Sequence, residues 1–163
     1  MMMKITRSLG ILLLVFCTFT FAPAQARQLV GTWKLVSEVV EVQSSGEKTA
    51  AMGESPSGYA VFTADGRATF IITADGRKPA KTVEERAALL DTLVAYSGTY
   101  TLDKDKWTTK VQVAWNPEWV GTEQTRFYEL KGERLVVTTP FRVMPNFRDK
   151  GSTRSILTFE RSK

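Results

Sequence analysis

From Gly31 onward the chain is a succession of short runs in which apolar and polar residues alternate, each closed by turn residues. The clearest is Lys106 to Trp115, where Trp107, Thr109, Val111, Val113 and Trp115 fall on one side and Lys106, Thr108, Lys110 and Gln112 on the other. A period of two is the period of a β-strand, and one apolar side per strand implies one buried face. A chain written this way is expected to fold into sheet, not into a helical bundle or an α/β layer.

The other runs fit the same reading. Gly31 to Val42 is expected to carry Trp33, Leu35, Ser37 and Val39 on one face and Lys34, Val36 and Glu38 on the other. Gln43 to Ser57 reads as a polar loop. Gly58 to Thr63 and Arg67 to Thr73 are joined by Ala64-Asp65-Gly66, and Asp-Gly between apolar runs is a hairpin signal. Thr82 with Glu85 three residues later reads as a capping box, and Val83, Ala87, Leu90 and Val94 recur at helical spacing. Tyr96 to Leu102, Glu123 to Leu130, Arg134 to Thr139 and Ser152 to Arg161 complete eight strands. Asn116 to Gly121 and Pro140 to Gly151 read as loops, since proline cannot donate to a ladder. The expectation is an all-β fold, an eight-stranded antiparallel up-and-down barrel with one short helix between strands 3 and 4, and a flattened sandwich is the alternative.

What precedes Gly31 reads as a targeting segment. Lys4 and Arg7 form a positive n-region, Leu9 to Phe21 is apolar, and Ala24-Gln25-Ala26 offers the small-x-small pattern of a cleavage site. Residues 1–26 are therefore expected to be a signal peptide and residues 27–163 one exported domain, periplasmic or extracellular, with no stable membrane insertion after cleavage. The chain has 1 cysteine, Cys17 inside the apolar run, so no disulfide can form within it. It has no histidine, which removes Ser–His and Cys–His catalysis and His-ligated metal or haem. No metal and no cofactor is expected. The net charge of +5 comes from scattered residues such as Arg67, Lys81, Lys110, Arg134 and Arg154, without the basic and aromatic interleaving of a nucleic-acid groove.

Leu29-Val30-Gly31-Thr32-Trp33-Lys34-Leu35 resembles the Gly-x-Trp start of the lipocalins and the wider calycin superfamily. Further along, Ser57-Gly58-Tyr59 with Asp65-Gly66-Arg67, Asn116-Pro117 with Val120-Gly121-Thr122, Gly132-Glu133-Arg134-Leu135 and Phe159-Glu160-Arg161 are similar to the bacterial and fungal lipocalin-like domain family. The resemblance implies that Trp33 plugs the closed end of the barrel under a basic side chain from a late strand. Arg154 is the expected partner, with Arg161 or Arg126 as substitutes. Members often carry a histidine on the strand before the Asn-Pro loop; Thr108 and Thr109 stand there, so no histidine-dependent role carries over.

Arg126 shares a face with Tyr128, and an internal guanidinium needs an internal carboxylate, loop carbonyls or an anionic ligand. Tyr96, Tyr100, Tyr128 and Thr109 would add hydroxyls to an apolar lining, or simply pack in the core. Trp115 and Trp119 flank the Asn-Pro turn, where aromatics gate a barrel mouth or pin a loop. These residues are the candidate ligand site. The function expected is binding of a small, mostly apolar molecule inside the barrel. A cyclase or isomerase acting by cavity shape is the alternative, and a filled barrel that binds partners through its surface is a third. No nucleophile–base pair is visible.

Overall fold

The computed structural model describes residues 28–162. The expected signal segment and its cleavage site lie outside the described residues. Ten strands run in the order β1 (Gly31–Val42), β2 (Lys48–Thr49), β3 (Ser57–Phe62), β4 (Arg67–Thr73), β5 (Leu93–Asp103), β6 (Lys106–Ala114), β7 (Glu123–Lys131), β8 (Arg134–Thr138), β9 (Arg142–Val143) and β10 (Ser152–Arg161). All pairings are antiparallel, and β1 pairs with both β3 and β10, so eight long strands close on themselves while β2 and β9 hang from β1 and β10. This is the closed barrel that the alternating pattern implies. Helix α1 (Val83–Asp91) follows Arg67–Thr73, the expected third long strand, which is β4 because the two-residue β2 inside the supposed polar loop adds a strand to the count. Among the described residues no helix is long and apolar enough to cross a membrane.

Two β-bulges reset the period-two pattern, and each moves side chains to the opposite face. In β1 the register with β10 shifts between Leu35 and Ser37. Trp33 and Leu35 point inward as expected, but beyond the shift Glu38 and Val40 are buried while Ser37 and Val39 turn outward. In the β5–β6 pair the shift falls between Ser97 and Gly98, opposite Gln112. Trp107, Thr109 and Val111 are buried, whereas Val113 is 61% exposed and Trp115 leaves the lumen. A side chain at Gly98 would collide with the Lys110 carbonyl, so glycine is what lets the two backbones close at this bulge.

The tight turns after β3, β5 and β7 gather at one end of the barrel, and Leu29 and Trp33, both fully buried, close it. Trp33 Nε1 donates to the Leu29 carbonyl at 2.8 Å. The cation over its ring is Arg161, 4.2 Å from the centroid, not Arg154. The physical reason is register: Arg161 pairs with Trp33 across β1 and β10, whereas Arg154 lies opposite Glu41 near the other end. Arg154 binds that carboxylate at 2.9 Å and covers Phe141 instead. Gly31, at φ +137°, leaves the space that Arg161 occupies; a Cβ there would sit 2.6 Å from Arg161 Nη1. Arg161 also donates to the Val30 carbonyl at 3.1 Å, so the plug is bonded as well as packed.

Candidate functional site

Aromatic side chains fill the closed half. Phe62 meets Trp107 edge-on at 5.0 Å, and Phe70 stacks on Tyr96 at 4.6 Å. Above them a cavity of about 40 Å³ remains, walled by Phe70, Ile72, Val94, Trp107, Val137, Met144, Leu157 and Phe159 and entered by the polar side chains of Glu38, Tyr96, Arg126, Thr139 and Ser155. An apolar lining with a few convergent polar groups is the composition of a small-molecule site, although sites for drug-sized ligands run to about 300–1,000 Å³.

Arg126 is 5% exposed. Its Nη1 donates to the Thr125 carbonyl at 2.7 Å, and its guanidinium carbon lies 5.8 Å from the Tyr96 ring and 6.0 Å from the Trp119 ring. None of the ion pairs among the described residues includes it. Of the internal partners that the sequence left open, a carboxylate is absent among those residues and a backbone carbonyl, that of Thr125 within β7, is present. Burial pushes the Tyr96 phenol up, and the charges of Arg126 and Arg142 partly oppose that shift.

Arg142 is the residue the sequence reading missed. It comes from β9, lies 4.5 Å over the Trp119 ring, bonds Gln124 Oε1, and leaves Nη2 buried without a protein partner. Burial, and then the charge of Arg126, lowers its pKa to about 10. Arg142 lines an outer groove with Trp119, Gln124 and Arg148 rather than the cavity, and its charge and that of Arg126 repel each other across the Trp119 ring.

Glu38 was also missed, because the β1 bulge carries it indoors. It is 6% exposed, and its Oε2 has no hydrogen-bond partner. Burial pushes its carboxyl above the usual carboxylate range, and a hydrogen bond with Ser155 opposes this in part. Trp107, a wall residue of the same cavity, also leaves its Nε1 buried without a partner.

Of the sequence candidates, Tyr96, Trp119 and Arg126 come together at the cavity. Tyr100 and Tyr128 do not. Their hydroxyls bond the Thr63 and Lys104 carbonyls at 3.3 and 3.4 Å, in turns at the closed end, because strands β5 and β7 carry them past the aromatic layer. Thr109 is fully buried in the wall, with Oγ1 unpartnered, and does not line the cavity. Trp115 lies outside, packed edge-on against Trp119 at 4.7 Å, because the bulge near Gln112 turned it outward.

The supposed polar loop after β8 is an ordered strap across the open end. Met144 and Phe147 are buried beneath it. Asn146 donates to the carbonyls of Asp91 and Leu93, and Arg148 pairs with Glu118 at 3.4 Å. The strap thus ties α1 and the Pro117–Trp119 turn across the mouth.

No curated protein matches the chain significantly. Among solved structures it is similar to an uncharacterized protein from Bacteroides eggerthii, at 13% identity and a TM-score of 0.39, covering 82% of this chain and 99% of that one. It is also similar to an asparagine-to-glutamine mutant of the fluorescent protein UnaG, at 17% identity and a TM-score of 0.35, covering 83% and 97%. The family model for the lipocalin-like domain matches residues 30–162, nearly the whole barrel with its Gly-x-Trp plug, and this chain belongs to that family.

Proposed function

We propose that this protein is an exported binding protein for a small, mostly apolar acid held in the upper half of its barrel. The observation that carries the reading is Arg126, a buried cation beside an apolar lumen with no carboxylate partner among the described residues. A buried unpaired charge is costly, and a charge-assisted hydrogen bond to a ligand carboxylate would offset the cost. Met144 on the strap is the flexible, polarizable side chain that can yield to an apolar body. The n-region, apolar run and Ala24-Gln25-Ala26 support a site of action outside the cytoplasm.

A second reading, a barrel filled for stability that works through its surface, draws on the cavity's small volume of about 40 Å³. Mass spectrometry of small molecules released by denaturing the gently purified protein separates the two. A stoichiometric apolar acid supports the binding protein. An empty protein that also ignores an added hydrophobic probe supports the filled barrel.

A further inference from the structure

Resting on the binding reading, we infer that the ligand carries a second oxygen function, a hydroxyl or carbonyl, remote from its acid group and received by Glu38. Glu38 and Arg126 line one cavity from strands β1 and β7, which are separated around the wall by β10 and β8, so the two groups face the lumen from different sides. They form no ion pair with each other. Ser155 lines the same cavity, and Glu38 Oε2 is buried and unpartnered. Such a group in an apolar wall destabilises the fold unless something meets it.

The chemistry of that something follows from the environment. Burial favours the neutral carboxylic acid, which can donate from Oε2 to an acceptor oxygen. Trp107 Nε1, the other unpartnered polar atom among the wall residues, is a donor and cannot accept. Two donors near an apolar lining call for a ligand oxygen. A ligand ammonium would instead need Glu38 ionised against its burial, in a cavity that already holds the Arg126 cation.

Isothermal titration calorimetry with hexanoate, its terminal hydroxy and amino derivatives, and hexanol tests this. The hydroxy acid is expected to bind the wild type about tenfold tighter than hexanoate, the gain of one hydrogen bond. In Glu38→Leu the affinities for the hydroxy acid and for hexanoate are expected to become equal, whereas Glu38→Gln, which still donates, keeps the preference. Equal binding of hexanoate and the hydroxy acid by the wild type overturns the inference while leaving the binding reading standing, and needs no variant to fold. Tightest binding of the amino derivative, or a preference that survives Glu38→Leu, overturns it as well. If none of the four compounds nor a fluorescent apolar probe binds, the binding reading falls and this inference with it.

Discussion

Glu38 is a carboxyl held indoors by one bulge, and its stability cost has a definite pH signature. In the unfolded chain it ionises near the ordinary value, about 4.3, and in the folded chain only at higher pH because burial penalises the charge. Between those values the unfolded state holds fewer protons, so stability falls as pH rises through that window; below it Glu38 is protonated in both states and the penalty vanishes. Glu38→Gln should remove this slope and raise stability at neutral pH by about 1–3 kcal/mol. Urea titrations of both proteins at acidic and neutral pH check it, and parallel pH profiles would contradict it. The residue was hidden from sequence reasoning for a physical reason. Strict alternation puts Glu38 with Lys34 on the solvent face, and only the shift in pairing after Leu35 reverses it. Arg126 and Tyr96 were legible because the alternations from Glu123 to Leu130 and from Tyr96 to Leu102 are unbroken, and Trp119 because it follows the Asn-Pro turn.

At the scale of elements, the long strands were readable because turns such as Asp65-Gly66 and Gly132-Glu133 punctuate them, and the capping box of α1 was readable from Thr82 and Glu85. The strap was not, since a two-residue strand and a buried Met144 depend on contacts with Gln124, Trp119 and Asp91, far away in sequence. Arg154 was chosen over Arg161 as the plug's partner because resemblance names a basic residue on a late strand without its register. The register predicts unequal losses. Arg161→Ala, which removes a cation–π contact and the bond to Val30, should cost about 1–2 kcal/mol in urea denaturation, more than Arg154→Ala, whose partner Glu41 also pairs with Lys48. Equal losses would contradict this. Helix α1 buries none of its residues, so Thr82→Ala should cost about 1 kcal/mol locally and leave global unfolding nearly unchanged. Hydrogen exchange checks this through faster exchange of the amides of Glu84 to Arg86, with protection in β1 and β10 unaltered.

At the scale of the whole molecule the barrel divides into a closed half, where Trp33, Phe62 and Trp107 pack and Arg161 seals, and an upper half where Arg126 and Glu38 border a small apolar cavity under a strap. The apolar core runs through both halves, and the binding reading assigns recognition to the second. The four tryptophans report on both: Trp33 in the plug, Trp107 on the cavity floor, Trp119 beside the two arginines and Trp115 outside. The most direct measurement is a titration of the nitrogen-15-labelled protein with hexanoate, following the indole signals and the Arg126 Nε–H by NMR. The account predicts saturable shifts of Trp107, Trp119 and Arg126 with Trp33 unmoved, and their loss in Arg126→Met. Shifts confined to Trp115, or saturable binding that Arg126→Met leaves unchanged, would contradict it.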